Sequence, residues 1–421
     1  MKFKVKVLLS ILILVFLFGY SQAKIIYIPS PSLATIQGGI NYASGGDTVL
    51  VNTGTYNENI DFKGKNITVA SRYLLEDDSS LIELTIINAI NQPSIPAVTF
   101  RSGEGPAAIL SGFTIQNSSN SLGVRCDSSS SPTITYNLIK HNNQGLVCSN
   151  SSNPLIKDNL LKDNAGEGIQ CTTGSSPRIE RNFISGHQFG IKYTNGTSAI
   201  LRNVIIQNIQ KGLSINAASP QVYNNTIANN IGDGVEIISS TEVNLINNII
   251  SSSSSGVGIR VSSSNPIIKY NDVWGNAGGD FSGTPMGVGN MFWGKNNKNT
   301  PCDEFYNISR NPEFENPPVD FQLQCSSPCI NVGDPGFVIP DLGGHRIDMG
   351  AFEYPLLRGD VWVDGKLDAS DVVFLVNCCF KGGPLPDPYE KGDVTANGAV
   401  DVQDIIHLIN YLYRNGMPPC H

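Results

Sequence analysis

Pro132-Thr133-Ile134-Thr135-Tyr136-Asn137-Leu138-Ile139-Lys140-His141-Asn142-Asn143-Gln144-Gly145-Leu146-Val147-Cys148 is answered, 22 residues on, by Pro154-Leu155-Ile156-Lys157-Asp158-Asn159-Leu160-Leu161-Lys162-Asp163-Asn164-Ala165-Gly166-Glu167-Gly168-Ile169-Gln170-Cys171. The Asn-apolar-apolar core of this pattern returns at Asn182, Asn203, Asn225 (as Asn-Thr-Ile), Asn248 and Asn271 (as Asn-Asp-Val), in steps of 22, 23, 21, 22, 23 and 23 residues counted from Asn137. A second polar position follows five residues later, at Asn142, Asn164, His187, Asn208, Asn230, Ser253 and Asn276. Pro132, Pro154, Pro177, Pro220 and Pro266 open five of the units, and Gly followed by an apolar residue marks each unit from Gly145-Leu146 to Gly258-Ile259. No segment before Asp368 sustains a 3.6-residue period. Each unit therefore reads as two or three short strands of period two, separated by Gly, Pro, Asn and Ser turns.

A unit of about 22 residues made only of strands cannot bury its apolar face alone and must stack on its copies. Alternation then assigns the faces. After each glycine the first and third residues point inward, as Val124/Cys126, Leu146/Cys148, Ile169/Cys171, Ile191/Tyr193, Leu213/Ile215 and Val235/Ile237. Cys126, Cys148 and Cys171 become a ladder at about 4.8 Å spacing, and buried free thiols behave as small hydrophobes. The Asn columns read as turn-stabilising amide stacks. The second residue after each glycine points outward: Arg125, Val147, Gln170, Lys192, Ser214, Glu236 and Arg260.

Working outward, the 421-residue chain carries 28 Lys+Arg against 36 Asp+Glu, a net charge of −8. Its polarity comes largely from uncharged turn formers, with 43 Asn and 42 Gly. Cations this sparse and scattered exclude a phosphate-neutralising face, so no nucleic-acid partner is expected. Lys2, Lys4 and Lys6, the apolar run from Val7 to Phe18 and Ser21-Gln22-Ala23 read as an export leader, residues 1–23. Its apolar run is short of the ~20 residues that a membrane span needs, and no other run approaches that length. A secreted or surface-attached protein is expected, without a span in the mature chain.

The repeat resembles the right-handed parallel β-helix family, and the L-x-x-L-x-L spacing of leucine-rich repeats is absent. The resemblance extends upstream through Ile36-Gln37 to Ile40, Ala43 to Val49 and Gly54 to Ile60, which look like opening coils. Downstream, Ser327 to Asp334 and Asp348-Met349-Gly350-Ala351-Phe352-Glu353-Tyr354 look like the closing coil. It covers residues 24–355 and implies a mainly β solenoid. The fold hosts lyases, hydrolases, esterases, adhesins and spacers, so it leaves the chemistry open. In pectin-degrading relatives, the outward face of one sheet forms the saccharide groove.

On that face glycoside hydrolysis would need two carboxyls about 5 Å or about 6.5–9.5 Å apart. Asp233 and Glu236, with Glu167 three coils away, are the local candidates; Lys192 and Arg260 are the candidate bases for β-elimination. Each has a plainer reading as a surface ion pair, Glu236 with Arg260 and Lys211 with Asp233. Gly186-His187-Gln188-Phe189-Gly190-Ile191-Lys192 is similar to the polygalacturonase signature, but the paired Asp motif that should precede it is missing.

A second duplication begins at Gly359. Asp360-Val361-Trp362-Val363-Asp364-Gly365-Lys366-Leu367-Asp368-Ala369-Ser370-Asp371 aligns, 33 residues on, with Asp393-Val394-Thr395-Ala396-Asn397-Gly398-Ala399-Val400-Asp401-Val402-Gln403-Asp404. Oxygen-bearing residues at positions 1, 5, 9 and 12 around a glycine at 6 follow calcium-loop logic, with backbone carbonyls from Lys366 and Ala399 at position 7. A helical stretch follows each loop. These two loop–helix units resemble a type I dockerin, assigned to residues 356–421. That resemblance implies calcium, and a cohesin partner met by residues 359–421 through positions 10 and 11, which are Ala369/Ser370 or Val402/Gln403. Trp362 takes a ligand position in the first loop while Thr395 offers a hydroxyl in the second, so the second site is expected to bind more tightly. A calcium-stapled cap without a partner is the alternative.

The nine cysteines fall three in the core ladder, three at Cys302, Cys325 and Cys329, and three at Cys378, Cys379 and Cys420. Export would permit disulfides among the last six. The functional expectation is a secreted protein that binds extracellular polysaccharide and is tethered by its C-terminal module. Its alternatives are a non-catalytic adhesin or spacer, and a polysaccharide lyase or glycoside hydrolase acting on a uronic-acid-rich polymer.

Overall fold

A computed structural model describes residues 23–417 and 419, apart from 119, 325, 338–345, 355, 356, 365 and 388. The expected leader, but for its last residue, lies outside them, as do Cys325, Gly365 and Cys420. The described residues form a right-handed parallel β-helix of three sheets with 11, 10 and 10 strands. Each coil visits them in turn, as in Thr133–Thr135 (sheet 1), Leu138–Lys140 (sheet 2) and Gln144–Cys148 (sheet 3). Neighbouring coils pair without slippage: Ile134 lies beside Ile156, Ile139 beside Leu161, and Cys126 beside Cys148 and then Cys171. The inward residues make one continuous core from Ile26 to Val273, with all three ladder thiols fully buried in it.

Two features of the repeat hold the coils in register. Between sheets 1 and 2 the chain turns in two residues, and the first of them is left-handed at Tyr136, Asp158, Arg181, Arg202, Asn224, Asn247 and Tyr270. The second is the ladder asparagine. Asn225 Oδ1 accepts from the backbone N–H and Nδ2 of Asn203, at 2.9 Å each. Its Nδ2 donates to the carbonyls of Ile200 and Tyr223 and to Asn248 Oδ1. The stack continues past the repeat through Asn271 to Asn307, where Asp303 accepts the last donors. The glycine column is a matter of space: a Cβ on Gly212 would lie 2.6 Å from Ile227 Cγ2 and 2.8 Å from the Gly234 carbonyl oxygen.

His187 replaces an asparagine in the second ladder. Its ring sits between Asn164 Nδ2 at 3.1 Å and Asn208 Oδ1 at 3.2 Å. Only the neutral tautomer protonated on Nδ1 satisfies both neighbours. Burial is the main cause that lowers its pKa to about 4. A depressed folded-state value means that the unfolded chain binds the extra proton first, so stability is lost as pH falls from about 6.5 toward 4, by up to about 3 kcal/mol. His187→Asn is expected to remove that part of the acid sensitivity, as read from denaturation midpoints at pH 4.5 and 7.

Short helices occur before Asp368 without a sustained 3.6-residue period to mark them. Helix α1 (Ile36–Tyr42), N-capped by Thr35, seats Ile36 and Ile40 over the first coils. Seven residues are too few for a period to stand out in the sequence. Helices α2 (Tyr73–Glu76) and α3 (Ser80–Leu84) form an insertion between sheets 1 and 2, where Thr114 Oγ1 donates to the Ile82 carbonyl.

The expected closing coil is corrected. Asn307 and Ile308 add a short parallel rung beside Asp272, but the expected closing stretches, Cys329 to Val332 and Met349 to Ala351, do not add a turn to the stack; they lie against the outer face of sheet 2. Phe321 and Ala351 cover Val204, Ile206 and Ala228, while Ile308, Cys329, Val332 and Met349 cover Ile249. That face is apolar along several coils, so covering it removes apolar surface from water. Beyond it, helices α4 (Ala369–Lys381) and α5 (Val402–Arg414) share a small core of Val361, Leu375, Val394, Ile405 and Leu408. Both end on a left-handed residue, Gly382 and Asn415. Among the described residues, no helix is long and apolar enough to cross a membrane.

Candidate functional site

Sheet 3 places Arg125, Val147, Gln170, Lys192, Ser214, Glu236 and Arg260 in one outward row, each beside the next by backbone register. The candidate catalytic side chains do come together there, but as closed ion pairs with exchanged partners. Arg260 grips Asp233 with Nε at 2.7 Å and Nη2 at 3.0 Å, and the Val257 N–H adds a third bond at 2.8 Å. Lys211 reaches Glu236, which also accepts from Ser214 Oγ at 3.0 Å. Lys192 Nζ lies 3.2 Å from Glu167 Oε1 and over the Phe189 ring. Glu236 with Arg260 and Lys211 with Asp233 are therefore not the pairs. Long side chains reach the diagonal neighbour, and Asp233, already fixed by a backbone N–H, suits the forked guanidinium.

Burial alone would raise the Asp233 pKa, but the bonds from Arg260 and Val257 outweigh it and hold the carboxyl below the usual carboxylate range. A general acid needs the opposite shift. The row can hold hydroxyl-rich ligands through alternating cations, carboxylates and amides. Its named carboxylates are already neutralised.

In the C-terminal module, the closing acids have a structural task that the spacing left unseen. Asp371 and Asp404 sit at the third position of α4 and α5, where each accepts the N-cap backbone N–H in a capping box with Asp368 or Asp401. Their other oxygens take the Trp362 and Thr395 N–H groups, at 2.9 Å each. Asp360 and Asp393 each curl their loop by accepting from Asp364 or Asn397. Burial, then repulsion from Asp360 and Asp368, raises Asp371.

The basic residues before the two loops cross over. Lys391 Nζ bonds Asp360 Oδ2 at 3.1 Å, with both side chains buried, and Arg358 Nη1 donates to the Asp393 carbonyl at 2.6 Å. The hard oxygen set of Asp393, Thr395, Asn397, Asp401 and Asp404 suits calcium chemically. Both leading aspartates are paired, Asp360 with Lys391 and Asp393 with Arg358 at 3.5 Å; the first loop fits less well because the Trp362 side chain has no oxygen to offer. Among the described residues, no group of three or more His, Cys, Asp or Glu side chains converges as a metal cage. Ala369, Ser370, Val402 and Gln403 are all exposed; the first two, with Trp362, Val373 and Phe374, line a cleft of about 510 Å3. The seven described cysteines are free thiols.

Two family models match the chain. One, described as periplasmic copper-binding protein (NosD), matches residues 40–233; the other, a right handed beta helix region, matches residues 189–297. Among solved structures, pectate lyase Pel9A is 18% identical with a TM-score of 0.46, covering 80% of this chain and 97% of its own. The mannuronan C-5 epimerase AlgE6 A-module of Azotobacter vinelandii is 12% identical with a TM-score of 0.34, covering 66% and 95%. An alginate lyase from Paenibacillus sp. str. FPU-7 is 11% identical with a TM-score of 0.29, covering 61% and 99%. No protein of curated function matches the chain in sequence.

Proposed function

We propose that this chain is an exported polysaccharide-binding β-helix, tethered through its C-terminal module to a cohesin-type partner. The observation that carries the binding reading is the outward row of sheet 3, where Asp233, Glu236 and Glu167 are each neutralised by Arg260, Lys211 and Lys192. A ladder of satisfied polar groups can exchange hydrogen bonds with sugar hydroxyls but keeps no proton poised for transfer. Lyase or hydrolase action is therefore the weaker reading. The tethering reading rests on the duplicated loop–helix pattern and on the exposed Ala369/Ser370 and Val402/Gln403 faces. In it, Asp393, Thr395, Asn397, Ala399, Asp401 and Asp404 would hold one calcium. Asp360, Asp364, Lys366, Asp368 and Asp371 would hold a second more weakly, and the ion would supply positive charge that draws each loop's carboxylates together.

The full chain is expected to be retained on insoluble polysaccharide without releasing product. Unsaturated ultraviolet-absorbing ends or new reducing ends would overturn the binding reading in favour of a lyase or hydrolase. Calcium titration by calorimetry is expected to show one tight and one weaker site, with chelation abolishing cohesin capture. Absence of calcium heat would overturn the tethering reading.

A further inference from the structure

The outer face of sheet 2 is covered at both ends and open between. Upstream, helix α3 lies against it through the bond from Thr114 to Ile82, with α2 leading into it from sheet 1. Downstream, Phe321 and Ala351 close over Val204 and Ile206. In the gap, Leu138 and Leu160 stand side by side in register, and Leu160 keeps 36% of its surface exposed. The gap is a cleft of about 500 Å3, within the size range of small-ligand sites, about 300–1,000 Å3.

Its walls have distinct chemistry. On one side Tyr73 and Tyr136 lean together, ring centres 5.2 Å apart and tilted by 51°. Tyr136 is 39% exposed although it occupies the left-handed turn position, where a side chain must project away from the core. Glu83 and Asp158 supply acceptor oxygens, and no lysine or arginine is among the described lining residues. Asp158 is held from the side by Arg181 at 2.7 and 2.9 Å. A carboxylate has about four acceptor sites, so oxygen capacity remains.

We propose that this cleft binds one ring of an uncharged saccharide, with the ring's C–H face against Leu160 and Tyr136 and its hydroxyls donating to Glu83 and Asp158. An apolar floor with an aromatic edge matches the C–H face of a pyranose. Glu83, with no lysine or arginine among the described lining residues, favours hydroxyl donors and disfavours a uronate; Asp158, paired with Arg181 and with Lys157 Nζ 3.9 Å away, adds acceptor capacity rather than net charge. The proposal rests on the polysaccharide-binding reading but places the ring at a surface separate from the sheet 3 row, so the two can fail separately.

The test is calorimetric titration of the full chain with neutral xylo-, cello- and manno-tetraoses and with tetragalacturonate, beside retention on insoluble polymer. A neutral tetraose is expected to bind at least about tenfold more tightly than tetragalacturonate, a difference of about 1.4 kcal/mol. Tyr136→Asn and Leu160→Glu are each expected to weaken it about tenfold, whereas Tyr136→Phe changes it less than about twofold. Asparagine adopts this left-handed turn at Asn224 and Asn247, and Leu160 is surface-exposed, so both variants should fold; melting curves check this. Polymer retention without neutral tetraose binding, or tetraose binding indifferent to both variants, would overturn the cleft and leave the earlier reading standing. Preference for tetragalacturonate would also overturn it. Tetraose binding lost in the variants, without retention on polymer, would support the cleft and sink the earlier reading.

Discussion

Asp272→Asn is expected to stabilise the protein increasingly as pH rises from 5 to 8. Asp272 points outward from sheet 2 under the closing segment, wholly buried. Its carboxylate accepts from the Arg310 N–H at 3.0 Å and the Cys329 thiol at 3.3 Å. Burial dominates these bonds and pushes its pKa up to about 8 from 3.8. The folded chain therefore keeps a proton that the unfolded chain gives up. The stability tied to that proton is intact below about pH 4, falls by about 1.4 kcal/mol per pH unit above it, and is gone by about pH 8. Over the full window the loss amounts to roughly 5 kcal/mol. Asparagine keeps the acceptor for Arg310 and has no charge to desolvate. Urea midpoints of parent and variant at pH 5, 6, 7 and 8 check the expectation, and parallel curves would sink it. Asp348, also raised by burial to about 7, adds to the parent's slope in the same direction.

The second large effect is expected at Asn225. Asn225→Leu keeps the volume but leaves the Asn203 N–H without its acceptor and removes one bond each from Asn203 Nδ2, the carbonyls of Ile200 and Tyr223, and Asn248 Oδ1. Asn203 Nδ2 keeps the Ile179 carbonyl, the Tyr223 carbonyl keeps the Arg202 N–H, and Asn248 Oδ1 keeps the backbone N–H of residue 225. Asn203, Asn225 and Asn248 are fully buried, so water cannot make up the loss. One unsatisfied buried polar group costs about 1–3 kcal/mol, and the thinned bonding of the rest of the network brings the expected loss to about 3 kcal/mol. The exposed Lys162→Ala should stay within about 0.5 kcal/mol. If the two variants melt together, the amide stack is not what holds the turns.

The solenoid was legible because its causes are local and repeated. Asn137 through Asn271, the glycine column and the Cys126–Cys148–Cys171 ladder recur at a period of one coil, and stacking is the way such units bury their apolar faces. The inward and outward rows of sheet 3 followed from alternation alone. The duplicated acidic spacing of the C-terminal loops was equally visible. Its capping boxes were not, because Asp371 and Asp404 satisfy the spacing of both a metal loop and a helix start.

Other features depended on contacts between residues far apart in the chain. The exchange of partners among Lys211, Asp233, Glu236 and Arg260 depended on Asp233 being held by the Val257 N–H of the next coil, where the Arg260 fork meets both its oxygens. The path of the closing segment at Phe321, Cys329 to Val332 and Met349 to Ala351 followed an apolar face on sheet 2, not a repeat mark. The cleft beside Tyr136 and Leu160 exists only because two covering segments, α2–α3 and the closing segment, stop short of each other. Periodicity in a sequence determines which residues share a face; which of those faces is covered, and by what, is decided where distant segments meet, because burying apolar surface rewards contact whatever its separation along the chain.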